Sequence, residues 1–210
     1  MSKLAFSAAG VAGASAAGIG GFMLLKDRES PEITFEQRYK NALLTSDSNL
    51  WGSKLTALKA GTATHSKLAE AAQKGKENNK DAEATQLLKE GCFLIYKEPI
   101  KDSKYLEDFK KYCSKTNKDA GTGNWNSDQK SDTSWNSSLD ALKSHDAQQY
   151  GKLDDKLSAL KTELSTKNTP YDDTTRDKLK GWCEEVQAHI FEGSESKEFK
   201  QQEKYCRKAS

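Results

Sequence analysis

Apolar residues recur at helical spacing along an otherwise polar chain. Trp51, Leu55 and Leu58 are separated by four and three residues, so they fall on one face of a helix. Four more segments carry such stripes and predict helices: residues 81–96, 103–113, 173–191 and 196–206. No run alternates apolar and polar residues in the manner of a β-strand. The sequence therefore predicts an all-α fold.

The chain begins with a long apolar segment. After a flank of residues 1–3, residues 4–25 carry no charged side chain. A helix of this length would measure about 33 Å, and the hydrocarbon core of a bilayer is about 30 Å thick. The segment therefore predicts a single transmembrane helix that ends before Lys26.

A cleaved signal peptide is the alternative interpretation of this segment. The small residues at positions 12–16 resemble a cleavage site, although the apolar run continues past them to Leu25. The orientation of an anchor is also open. Only Lys3 precedes the segment, whereas Lys26 and Arg28 follow it, so the positive-inside rule does not favour export of the C-terminal part.

The part of the chain after the anchor contains an internal repeat. Residues 51–59 and 135–143 are identical at six of nine positions. Further matches follow in the same order: Leu-Lys-x-x-Cys at 88–92 and 179–183, then a phenylalanine and Tyr-Cys at 109–113 and 199–206. The repeat predicts two tandem helical units at residues 34–115 and 120–207, the core of the second starting at about 135. A segment rich in Asn, Asp, Gly and Ser, residues 116–134, predicts a linker.

The four cysteines fall two in each predicted unit. An even number of cysteines in a membrane-anchored and exported domain suggests disulfides, and four cysteines allow three connectivities. The repeat favours the pairs Cys92–Cys113 and Cys183–Cys206. Free buried thiols are the alternative, since a reduced cysteine packs as a small apolar residue.

The sequence predicts no catalytic, cofactor or metal site. A zinc site is disfavoured because there is no C-x-x-C motif, and His65, His145 and His189 lie apart without ligand spacing. Acidic pairs such as Glu184-Glu185 are typical of solvated helix faces. We therefore expect neither an enzyme nor a cofactor-binding protein.

Charge and composition narrow the possible partners. Residues 27–210 carry 31 basic and 31 acidic side chains, and a neutral surface does not attract nucleic acid or anionic lipid over a distance. The mean hydropathy of −0.87 is low, yet 18 aromatic residues supply large side chains for burial. The composition predicts a folded domain with a thin core.

The layout of the chain resembles a known group. The opening Met1–Ala5, the Gly/Ala-rich segment ending in Leu24-Leu25-Lys26 and the terminal Tyr205-Cys206 are similar to paralogous, uncharacterised membrane-anchored proteins of haemotropic mycoplasmas. The resemblance extends over the whole chain, but its motifs are short. It implies a surface protein of wall-less cells that attach to erythrocytes, with antigenic variation, and it supplies no functional residue.

These observations predict a single-pass surface protein whose helical domain contacts host molecules or antibodies. They identify no biochemical activity. Two other functions stay open. One is an adhesin-type module with a defined ligand. The other is a membrane scaffold that faces the cytosol, in which the cysteines would be reduced.

Overall fold

The structure, a computed structural model, describes residues 32–208. Its elements in chain order are α1 (Phe35–Arg38), α2 (Trp51–Ala60), α3 (Ser66–Lys74), α4 (Asp81–Lys97), α5 (Leu106–Asp108), a π-helix (Phe109–Cys113), α6 (Asn117–Ala120), α7 (Trp135–Lys143), α8 (Ala147–Tyr150), α9 (Asp155–Leu164), α10 (Asp173–Val186) and α11 (Lys197–Tyr205). Extended pairing within this range is limited to isolated β-bridges. The described part of the chain is therefore all-α, as the sequence predicts.

The predicted transmembrane anchor, residues 4–25, and its flank at 1–3 lie outside the described residues. Between residues 32 and 208, the structure contains no helix that combines the length and the apolar character needed to cross a bilayer.

The buried side chains form two hydrophobic clusters. The first lies mainly among α1 to α5 and the π-helix, and the second among α7, α9, α10 and α11. In the first cluster, α2 packs against α3, α4 and the π-helix, and in the second, α7 packs against α9, α10 and α11. The predicted apolar stripes face these clusters: Trp51, Leu55, Leu58, Trp135, Leu139 and Leu142 are all buried. Burial of these stripes holds the otherwise polar helices in place.

Helix ends differ from the prediction in two places. Helix α10 ends at Val186 and not at Phe191, because the chain turns at residues 187–189 and Ile190 forms a β-bridge with Thr116. Ile190 then belongs to the first cluster, although it follows a helix of the second. The segment predicted as a helix at 103–113 becomes helical only at Leu106 and continues as the π-helix. The first difference comes from a tertiary contact of Ile190 that the apolar spacing does not encode.

The predicted linker, residues 116–134, begins with a packed segment. Its first residues form α6, and the backbone N–H groups of Asn117 and Lys118 donate to His189 O (2.9 Å) and Gln187 O (3.1 Å). The buried Asn117 side chain donates through Nδ2 to Val186 O (3.0 Å) and Glu198 Oε1 (2.7 Å). Polar residues here donate to carbonyl groups at and after the end of α10, which is why a polar composition does not produce a loose connection.

Replacing Asn117 with alanine should lower the free energy of unfolding by about 1–3 kcal/mol, because it removes both hydrogen bonds of this buried amide, to Val186 O and to Glu198 Oε1. Urea denaturation followed by circular dichroism measures the change. Asn78→Ala is the matched control, since Asn78 is exposed, and it should leave the midpoint nearly unchanged. Equal effects of the two substitutions would contradict the described role of Asn117.

Candidate functional site

The four cysteines are joined in two disulfides. Cys92 bonds to Cys113 with a Cα–Cα distance of 5.2 Å, and Cys183 bonds to Cys206 with a distance of 5.6 Å. The first bond connects α4 to the end of the π-helix, and the second connects α10 to the end of α11. All four residues are fully buried, and the described residues include no free cysteine. Their role in this geometry is to connect helices, since a buried disulfide offers no accessible thiol.

The tryptophans that open α2 and α7 make similar hydrogen bonds. Trp51 Nε1 donates to Thr45 O at 2.8 Å, six residues upstream, and Trp135 Nε1 donates to Asp128 O at 3.2 Å, seven residues upstream. Each indole is buried and anchors the chain that leads into its helix. The nitrogen of a buried indole needs an acceptor, and both segments provide a backbone carbonyl.

A tyrosine precedes the second cysteine of each disulfide. In the first half of the chain it connects the π-helix to the loop after α2, and in the second half it connects α11 to the loop after α7. Tyr112 Oη donates to Thr62 O at 3.2 Å, and Tyr205 Oη lies 2.6 Å from His145 Nδ1. Burial raises the pKa of the Tyr205 hydroxyl, so this group stays protonated over the physiological pH range. These side chains are therefore structural contacts.

The residue after each second cysteine pairs with the chain before α2 or α7. Ser114 forms a β-bridge with Leu43, and Arg207 forms one with Trp125. The next residue in each case also takes part: the Lys115 N–H donates to Ala42 O, and the Lys208 N–H donates to Asn124 O. The same kind of connection therefore occurs at both disulfides.

The three histidines occupy separate environments. His145 contacts Tyr205 Oη through Nδ1 and Gly151 O through Nε2, and His189 Nδ1 lies 2.9 Å from Glu198 Oε2 at a partly exposed position. His65 is buried, and its Nδ1 has no hydrogen-bond partner among the residues that the structure describes. Within residues 32–208, no group of three His, Cys, Asp or Glu side chains is placed to hold a metal ion.

The burial of His65 should make stability depend on pH. Burial lowers the pKa of this histidine, and the nearby Asp108 carboxylate opposes the shift only in part. Because the folded-state pKa is lowered, the stabilising contribution is complete above the pKa of an unfolded histidine, about 6.5. It is lost as the pH falls through the lower folded-state pKa. Urea midpoints should therefore drop on acidification, and they should drop less in His65→Leu. The exposed control Asn78→Ala, which removes no ionisable group, should keep the wild-type pH dependence.

A cleft of about 450 Å³ lies where segments associated with the two clusters meet. Its walls include Tyr39, Lys110, His189, Glu192 and Glu198. Several of these groups already have partners in the fold: Glu192 pairs with Arg38, and Glu198 accepts one hydrogen bond from Asn117 and contacts His189. The cleft therefore presents a charged rim.

No protein-family model, curated protein or solved structure matches this chain.

Proposed function

We propose that this chain is a single-pass membrane protein whose helical part is exposed on the cell surface and contacts host molecules or antibodies. The observation that carries the proposal is the pair of buried disulfides, Cys92–Cys113 and Cys183–Cys206. Disulfides persist in oxidising environments such as cell surfaces and are rare in the cytosol. An exported domain accounts for both bonds, whereas a scaffold facing the cytosol would hold reduced thiols.

The apolar segment 4–25 supports the membrane part of the proposal. It is uncharged, long enough to span a bilayer as a helix, and followed directly by Lys26, Asp27 and Arg28. The disulfides and the charges around this segment point in opposite directions on orientation. We give the disulfides more weight, because the positive-inside rule rests here on only three basic residues.

We also propose that the described region consists of two copies of one helical module. The support is the set of contacts that recur in both halves: the indole hydrogen bonds, the tyrosine contacts, the β-bridges and the disulfides. Trp51 of α2 and Trp135 of α7, which match in the sequence repeat, make the corresponding indole hydrogen bonds. A duplicated module with its own disulfide is stable with a small core, which suits a protein exposed to proteases and host antibodies.

Protease treatment of intact cells tests this proposal. Proteinase K should remove peptides from residues 32–208 before lysis, while a cytosolic marker protein stays intact. Peptide 4–26 should stay in the membrane pellet through an alkaline carbonate wash. Protection of residues 32–208 until the cells are lysed would overturn the proposal in favour of a cytosolic scaffold. A soluble product that begins near residues 13–18 would identify segment 4–25 as a cleaved signal peptide.

A further inference from the structure

Three large apolar side chains are exposed among the residues that the structure describes: Ile33 at 57%, Phe93 at 39% and Leu94 at 51%. We call them the α4 patch, since Phe93 and Leu94 are consecutive residues of α4. A single scattered apolar residue needs no explanation, whereas neighbouring exposed ones commonly mark a surface that contacts a membrane or another protein.

The C-terminal end of α4 adjoins the first described residues of the chain. The Phe35 N–H donates to Glu98 O at 3.1 Å, and the Ile100 N–H donates to Ile33 O at 2.9 Å. Leu94 precedes Glu98 by about one helical turn. The α4 patch therefore lies where the chain enters the helical part of the protein from its N-terminal side.

The proposed duplication pairs the two α4 residues of the patch with charged residues of the second half. The repeated Leu-Lys-x-x-Cys motif sets Phe93 and Leu94 opposite Glu184 and Glu185 of α10. Both glutamates are exposed. These positions face solvent in both helices, and only α4 has apolar side chains there.

Ile33 differs from its counterpart in the same way. Thr34 and Thr116 each begin a short helix with a capping box, and each forms a β-bridge with the segment that follows the long helix of its half. This match sets Ile33 opposite Lys115. All three residues of the α4 patch thus have charged counterparts, so the apolar patch is specific to the half of the chain that follows the segment 4–25.

We propose that the α4 patch contacts the lipid surface of the membrane that the apolar segment 4–25 spans. This inference rests on the proposed membrane anchor. Leu25 and Ile33 are eight residues apart, and a chain of eight residues reaches at most about 29 Å when fully extended. The short connection keeps the α4 patch close to the bilayer at a high effective concentration, so a small apolar contact is sufficient.

The charged residues around the α4 patch are compatible with a lipid surface. Lys97 follows Phe93 and Leu94 by one turn on the exposed side of α4, its side chain is 70% exposed, and its ammonium lies 2.6 Å from Glu36 Oε2. Such a lysine keeps its ammonium in water while apolar neighbours enter the headgroup layer. The nearby charges almost balance: Lys97, Lys101, Lys104, Glu32, Glu36, Glu98 and Asp102. The contact should therefore not require anionic lipid.

A second copy of the chain is a less suitable occupant of the α4 patch. A stable interface between proteins buries about 800 Å² on each partner, and three partly exposed side chains supply only a small part of that area. Lipid contact needs no such area, because the anchor already holds the helical part at the bilayer.

Photo-crosslinking of the full-length chain in phosphatidylcholine vesicles tests the proposal. Leu94→benzoylphenylalanine should form a covalent adduct with one phospholipid, which mass spectrometry of the reduced tryptic peptide 90–97 detects. Glu185→benzoylphenylalanine is the matched control, because position 185 is exposed and corresponds to position 94. It should give several-fold less lipid adduct. Adding Phe93→Glu, which copies the second half, should lower the yield at position 94 several-fold as well.

The other outcomes separate this inference from the anchor. An adduct between position 94 and a second copy, or no adduct in vesicles that retain the chain through a carbonate wash, would overturn the lipid contact and leave the anchor intact. Equal lipid capture at positions 94 and 185 would overturn it too, and so would capture that requires added phosphatidylglycerol. Release of the chain by the wash would refute the anchor and this inference together. Circular dichroism checks that each variant is folded.

Discussion

Replacing Cys183 and Cys206 together with alanine should lower the free energy of unfolding by about 3 kcal/mol. The bond closes a loop with a sequence separation of 23 residues, and breaking it lets the unfolded chain adopt more conformations. Alanine avoids placing a polar hydroxyl at these fully buried positions. Urea denaturation of the oxidised proteins measures the difference.

Two comparisons accompany this cysteine variant. The double variant of Cys92 and Cys113 should lose a similar amount, since that loop has a sequence separation of 21 residues. Adding a thiol reductant should lower the unfolding midpoint of the wild type. It should lower the midpoint of the Cys183/Cys206 variant less, because only the Cys92–Cys113 bond remains to be reduced. A wild-type midpoint that does not respond to reductant would contradict a stabilising role for both disulfides.

Replacing Trp135 with alanine should cost about 3–5 kcal/mol of unfolding free energy, because it leaves a large cavity in the second cluster. Trp135 is fully buried and is one of the largest side chains there. Trp135→Phe should cost less, since it keeps most of the apolar area and loses chiefly the hydrogen bond to Asp128 O.

The matching substitution in α2 extends the tryptophan test to the proposed duplication. Trp51→Ala should produce a loss of similar size, because Trp51 is 3% exposed and makes the corresponding bond to Thr45 O. Phe93→Ala is the control, since Phe93 is an aromatic residue of α4 that is 39% exposed. It should change the midpoint far less. A large effect at Phe93 and a small one at Trp51 or Trp135 would contradict the described cores.

Sequence spacing is most informative where a helix buries one apolar face. The stripe of Trp51, Leu55 and Leu58 is buried as expected, and α4 ends one residue beyond the predicted segment 81–96. Helix α9 carries a comparable stripe, because its buried residues Leu157, Leu160 and Leu164 are three and four residues apart. Helix α3 has a weaker signal. The buried face of α3 consists largely of Leu68, Ala71 and Ala72, and alanine marks a buried face poorly because it is common on both sides of a helix.

Tertiary contacts explain the features that sequence spacing does not predict. Ile190 follows α10 in the chain but packs in the first cluster, and Asn117 is buried within a segment of linker-like composition. Ser138 and Arg207 line one cleft although they are 69 residues apart in the sequence. No local motif joins them, so their proximity follows only from the packing of α7 against α11 and the residues after it.

Peptide mapping without reduction, on protein alkylated in intact cells, tests the central claim of an oxidised, exported domain most directly. Trypsin cuts between the members of each pair, so a bond joins two separate peptides. The account predicts that peptide 90–97 is linked to 112–115 and that peptide 181–197 is linked to 205–207. Four alkylated thiols, or a bond between peptides 90–97 and 181–197, would contradict it.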